Sequence, residues 1–210
     1  MLLNILIIVF AITSIYLCIA ERFRTYASLI GVQGLLLFGI ALTELKEVNI
    51  AHLIFIVAET LLFKAILVPW LLFRIINKLK VYKVHAKAVS GFYILLLVML
   101  GLFLSILLAN SLSDPFIDTV YMVIALFSFF TGMVLIVTHK LIFSHTVGFL
   151  AIENAVFMFS LAFGSEMPML INIGILLDIF VSVLIISVIL SRINMHFSGL
   201  EAENLIVLKD

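Results

Sequence analysis

Charge is scarce in this chain. Only 11% of its 210 residues are Asp, Glu, Lys or Arg, where a soluble domain carries about 25%. Hydrophobic residues make up 65%. No soluble domain of useful size is left over, and the longest polar stretch, 77–87, is too short to hold a core. Basic and acidic side chains cancel to a formal net charge of zero, which argues against a nucleic-acid partner. Cysteine is almost missing. Cys18 alone permits no intramolecular disulfide, no iron–sulfur ligation and no cysteine metal cluster. Lying inside an apolar run, it reads as a small buried side chain. There is no glycine-rich nucleotide loop and no Ser/His/Asp arrangement. No two histidines stand at matching mid-membrane depth to hold a haem. The expectation is a chain with no catalytic centre, no metal and no cofactor of its own. The apolar start also lacks a basic n-region and a small-x-small cleavage site, so the first segment is expected to be a retained helix.

What is present is a series of apolar runs. A spanning helix needs about 20 mostly apolar residues. Seven segments meet or approach that length: 2–20, 27–43, 50–73, 89–109, 116–138, 146–163 and 168–190, the second and sixth being short. The runs are continuous rather than alternating, so they predict helices and not a barrel. The fold class expected is an all-α integral membrane protein, one compact bundle of seven transmembrane helices. Arg22, Arg24, Arg74, Lys78, Lys80, Lys83, Lys87, Lys140, Arg192 and Lys209 fall on one side, and Lys46 alone on the other. That bias places the N-terminus outside and the C-terminus in the cytoplasm. The membrane is expected to be the cytoplasmic (inner) membrane of a prokaryote.

A weak internal repeat accompanies this plan. With an offset of 121, Thr25, Leu29, Phe38 and Ala41 fall on Thr146, Leu150, Phe159 and Ala162; with an offset of 119, Glu59 falls on Asp178. The pattern suggests a parallel 3+1+3 arrangement. It divides the chain into a three-helix unit with a basic loop (1–88), a connecting helix (89–115), a second three-helix module (116–192) and a cytoplasmic tail (193–210).

Three acids, Glu59, Glu153 and Asp178, lie near the middle of spanning segments. A charge at that depth costs roughly 2.5–3.5 kcal/mol on insertion scales, so such residues usually face a protein interior or a wet cavity. Glu153 lies about 10 Å into its helix, and Asp178 about 15 Å from the outer end of the next. The two depths agree to within roughly 5 Å in a core about 30 Å thick. Thr146, Glu153 and Ser160 form one stripe, Asp178 and Ser182 share a face, and Asn154 adds an amide beside Glu153. The arrangement suits a proton or cation relay. A purely structural role, in which each acid is protonated or bonded to a neighbouring helix, is the alternative.

Glu59 and Lys64 share a helix but stand five residues apart, about 140° around an α-helix. Each is therefore expected to pair elsewhere, with Lys64 either a switchable charge in a relay or a static counter-ion. His52 lies near the face of Glu59, and Pro69 is expected to kink the helix. His139 and His145 flank the turn between the fifth and sixth helices; they could feed protons toward Glu153 or simply be interfacial. The basic loop 74–87 reads as a positive-inside loop or an anionic-lipid or protein contact. Ala27 and Gly31 permit close helix approach, and Trp70 and Tyr82 suit the membrane interface.

The stretch Val147-Gly-Phe-Leu-Ala-Ile-Glu153-Asn-Ala-Val-Phe-Met-Phe159, followed by Leu176-Leu-Asp178-Ile-Phe, resembles the small K-type (4L) subunit of respiratory NADH:quinone oxidoreductase. It is also similar to the C-type subunit of multisubunit cation/proton antiporters. In those three-helix proteins each of the last two helices carries one membrane acid. Glu153 falls on the first; Asp178 falls on the second, usually a glutamate. The full length, with Glu59 and Lys64, looks like the E component of hydrogenase-4-type membrane-bound hydrogenases. The resemblance implies a non-redox subunit in the membrane arm of an oxidoreductase complex, seated in the lipid bilayer beside a large antiporter-like subunit and other membrane subunits. Cytoplasmic redox partners would carry the iron–sulfur clusters and nickel–iron. Glu153, Asp178, Glu59 and Lys64 would relay protons, supported by His52, His139, His145, Ser160 and Ser182. The competing readings are an independent secondary cation/proton transporter and a non-conducting scaffold.

Overall fold

The computed structural model describes residues 2–44, 54, 56–79, 90–112, 115 and 117–163. Among the described residues there are six helices and no strand: α1 (Leu2–Ile19), α2 (Phe23–Glu44), α3 (a π-helix, Val57–Leu67, running into an α-helix, Val68–Leu79), α4 (Gly91–Ser111), α5 (Thr119–Thr138) and α6 (Ile142–Ala162). Five are long and apolar enough to cross a membrane: α1, α2, α4, α5 and the Phe143–Ala162 part of α6. This is the make-up of a multi-pass membrane protein. The seventh expected span, with Asp178 and Ser182, lies outside the described residues, as do His52 and the tail.

Two antiparallel hairpins, α1–α2 and α5–α6, form the centre, with α1 against α5 and α2 against α6. The α1–α2 and α5–α6 turns lie at the same end. There the Tyr26 hydroxyl touches both the Ala20 carbonyl (3.1 Å) and His139 Nε2 (3.3 Å). At the opposite end the Tyr121 hydroxyl donates to Glu44 Oε1 at 2.6 Å. α3 covers α2, and α4 covers α5 and α1. Phe92, Leu96, Phe103 and Leu107 of α4 face outward, as a span apolar on every face does in lipid.

Local chemistry explains the boundaries. Asp118 starts α5 by accepting from the Val120 and Tyr121 amides at 2.8 and 3.3 Å, satisfying donors that the first turn leaves open. α2 and α6, read from hydropathy as short, each begin about one turn earlier. Arg24, Ser144 and His145 depress the hydropathy there, yet Phe23, Tyr26 and Ser144 are buried. The basic loop also starts later than its composition suggests. Val68, Leu72 and Ile76 form a buried stripe that holds α3 helical through Leu79. Arg74, on the other face of that turn, lies over Trp70 at 5.3 Å.

Candidate functional site

The apolar core falls into three clusters. The smallest, Cys18, Ile94, Val98 and Phe127, lies where α4 packs on α1 and α5. Of the other two, one, around Leu17, Tyr26, Ile30, Leu72 and Val147, fills the turn end, and one, around Phe10, Leu37, Ile40, Met122 and Met158, fills the opposite end. Between them lies a layer of buried polar groups: Ser14, Gln33, Lys64, Glu153 and Asn154. Desolvating such groups is expensive unless they bond one another.

α2 and α3 make this layer possible by touching backbone to backbone. A Cβ placed on Gly34 would lie 2.7 Å from the Ala65 nitrogen and 2.8 Å from the Lys64 carbonyl carbon. Gly31 meets the Pro69 ring, at 2.9 Å for its notional Cβ. The small-residue face of α2 therefore extends one turn past the Ala27–Gly31 pair seen in the sequence, and it sets Lys64 level with Gly34 and Gln33.

The first half of α3 departs from the α-helical geometry assumed for Glu59 and Lys64. It is wound as a π-helix, and the Val68 amide donates to the Phe63 carbonyl five residues back. In that winding, residues five apart lie one above the other. Glu59 and Lys64 meet at 3.8 Å, both almost fully buried. The expectation that each must look elsewhere because of a 140° separation is corrected by the wider turn. Lys64 also reaches beyond its own helix: its ammonium lies 4.9 Å from the centre of the Phe157 ring of α6. Phe157 stands one helical turn after Glu153, so the two share a face of α6. Glu59, Lys64 and Glu153 thus belong to one interior region. Glu153 lies eleven residues into α6, about 16 Å, deeper than the sequence estimate because the helix starts earlier.

A second polar element crosses the same level. Asn154 Nδ2 donates to Gln33 Oε1 at 3.0 Å, and Gln33 Nε2 donates to Ser14 Oγ at 3.1 Å. The Ser14 hydroxyl donates to the Phe10 carbonyl at 3.1 Å. Three helices, α6, α2 and α1, are joined by one chain of hydrogen bonds. Ser14 and Gln33 are not among the residues that the sequence points to, because their helices carry no mid-membrane acid to draw attention to their polar neighbours. Gln33 was recognisable all the same, as a lone amide in the middle of an apolar run.

His139 is buried at the turn end, 2% exposed. Its Nδ1 lies 3.0 Å from the Thr138 hydroxyl and 3.2 Å from the Leu135 carbonyl, and its Nε2 faces Tyr26. Thr138 gives its own hydrogen to the Val134 carbonyl at 2.6 Å. His145 Nε2 donates to the His139 carbonyl at 2.6 Å. The two histidines are therefore joined, with Tyr26 as a third member that hydropathy did not reveal. Ser160 donates to the Phe157 carbonyl at 2.7 Å and stays on the helix beside the layer. Cys18 is buried against α5, donating to the Thr131 carbonyl at 3.4 Å. Among the described residues no group of three or more His, Cys, Asp or Glu side chains is gathered for a metal ion.

Comparison with known proteins adds one relative. The chain is 25% identical over 193 residues to the uncharacterized protein Rv0085 of Mycobacterium tuberculosis (strain ATCC 25618 / H37Rv), a match covering 89% of this chain and 86% of that protein. No family model matches, and no solved structure matches.

Proposed function

We propose that this chain is a membrane-arm subunit of a multisubunit energy-converting redox complex, of the membrane-bound hydrogenase type. In this reading it relays protons, or shares in charge movement, through its intramembrane carboxylates. The observation that carries the reading is the buried Glu59–Lys64 pair, set by the π-helix beside the α6 face that bears Glu153. Ionisable groups at that depth are expensive to insert, and here an acid–base pair and a further acid occupy one interior region. Lys64 would be the shared cation, drawn toward Glu59 in one state and toward Glu153 in another. Asp178 would continue the path into the seventh helix.

The orientation follows the same reading. Arg24 and Asn77, bonded at 3.3 Å, lie at the turn end with Arg22, Arg74 and Lys140, and this supports placing that end in the cytoplasm. The duplicated plan gains support from Gln33 and Asn154, which bond each other and stand 121 residues apart, the offset of the sequence repeat.

The test has two parts. Affinity purification in mild detergent should bring down a large antiporter-like membrane subunit and iron–sulfur proteins. In membranes carrying that complex, Glu153→Gln with Asp178→Asn should leave assembly intact and lower the protons moved per electron pair. Undiminished proton movement in the double variant would overturn the relay. Ion flux in liposomes holding this chain alone would replace it with an independent transporter.

A further inference from the structure

Gln33 takes no part in the relay just described, yet it is fully enclosed, 0% exposed, at the centre of the polar layer. We propose that Gln33 is a positioning residue: a non-conducting brace that fixes the distance between Lys64 and Glu153 and closes the polar layer toward α1. The inference rests on the relay reading of those two residues.

The hydrogen-bond chain has one direction, and its far end sets it. A carbonyl only accepts, so the Ser14 hydrogen is committed to Phe10. Ser14 Oγ must then accept from Gln33, which turns Nε2 toward α1 and Oε1 toward α6. Oε1 in turn accepts from Asn154. Every hydrogen runs from α6 to α1, and the run stops at a backbone carbonyl. An amide neither gains nor loses a proton near neutral pH, so nothing is passed along this route. A carboxylate placed at Gln33 would change that.

The mechanical role follows from the neighbours of Gln33 on both sides. Gly34 presses α2 onto the Lys64–Ala65 backbone. One residue earlier, Gln33 holds α2 to Asn154, which adjoins Glu153. The distance from Lys64 to Glu153 is therefore set through two adjacent residues of α2. Among the described residues, the charged side chains buried in the bundle with Glu153 are Lys64 and Glu59 of α3. α2 adds the Gln33 amide, and α5 the Ser128 and Thr131 hydroxyls.

The experiment uses the full chain in nanodiscs and reads protonation directly. The infrared carbonyl band of protonated Glu153, assigned by its loss in Glu153→Gln, and the 15N resonance of Lys64 Nζ are followed against pH. Gln33→Leu, which keeps bulk but removes both bonds, should move at least one of the two titration midpoints by a pH unit or more, a tenfold change in proton affinity. Gln33→Glu retains one donor and one acceptor while protonated. It should melt like the parent at low pH and add a new carboxyl band whose titration is coupled to that of Glu153. Unchanged midpoints in a folded Gln33→Leu variant would overturn the brace. If that variant does not fold, Gln33→Glu decides: titrations of Glu153 and Lys64 identical to the parent's overturn it equally. Neither readout depends on transport, so a failure of the brace is separable from a failure of the relay.

Discussion

Glu59 and Lys64 are five residues apart and 3.8 Å from each other inside an apolar bundle. The contact exists because the backbone between them is wound with i→i+5 bonds, and it would be lost in a regular α-helix of the same sequence. Breaking a buried pair leaves one charge without its partner, whereas replacing both partners is tolerated far better. Glu59→Gln and Lys64→Met should each destabilise the detergent-solubilised protein by about 3–5 kcal/mol. The double variant should recover most of that loss. A thermal-unfolding double-mutant cycle checks it, and strictly additive losses would show that the two side chains do not interact.

The α2–α3 contact tolerates no side chain at Gly34. Gly34→Ala would force its new methyl against the Lys64–Ala65 backbone, which cannot swing aside as a side chain can. The expected loss is about 1–3 kcal/mol of stability. Gly91→Ala serves as the comparison, because nothing lies within 4 Å of a Cβ there. Its unfolding temperature should stay at or above the parent's.

Tyr121 and Glu44 tie the start of α5 to the end of α2 through a 2.6 Å hydrogen bond. The pair is only partly buried, so solvent can replace the lost partner in part. Tyr121→Phe should lower stability by about 1–2 kcal/mol, measured by the same unfolding assay. The effect should shrink if Glu44→Gln is already present.

Cys18 is sealed between α1 and α5, with 0% exposure. A water-soluble maleimide should leave it unmodified in the folded protein and label it fully after denaturation in dodecyl sulfate. Mass spectrometry distinguishes the two. Rapid labelling of the native protein would mean that the α1–α5 seam opens.

Sidedness can be read with single cysteines in a Cys18→Ala background. Lys140, exposed beside the α5–α6 turn, and Leu112, 53% exposed at the end of α4, lie at opposite ends of the bundle. Lys140→Cys should react with an impermeant thiol reagent only from the cytoplasmic face, and Leu112→Cys only from the outer face. The reverse pattern would invert the orientation assigned from the basic residues.

Much of the fold was legible in the sequence because lipid imposes a simple rule: an uninterrupted apolar run becomes a helix. The spans read as 2–20, 89–109 and 116–138 agree with α1, α4 and α5 to within a few residues. The rule falters where polar residues are buried inside the protein. Tyr26, Ser144 and Gln33 make contacts that hydropathy scores only as losses. The π-helix was hidden for another reason. Its signature is a spacing of five, and a single pair at that spacing, Glu59 and Lys64, reads as a mismatch on the α-helical period. The meeting of Lys64 with Phe157 depends on how α2 holds both α3 and α6, which no local pattern encodes.

Where α5 crosses α6, Gly132 and Gly148 face one another, and a Cβ on either would lie 2.8 Å from the other's carbonyl oxygen. Main chain there comes close to main chain, and the Ile152 and Ile136 side chains close over the two glycines, 2.7 and 2.6 Å from such a Cβ. α6, and Glu153 with it, is clamped to α5, as α3 is clamped to α2 at Gly31 and Gly34. In the proposed relay the helices then stand still, and the travel between Glu59 and Glu153 is left to the four-carbon stem of Lys64.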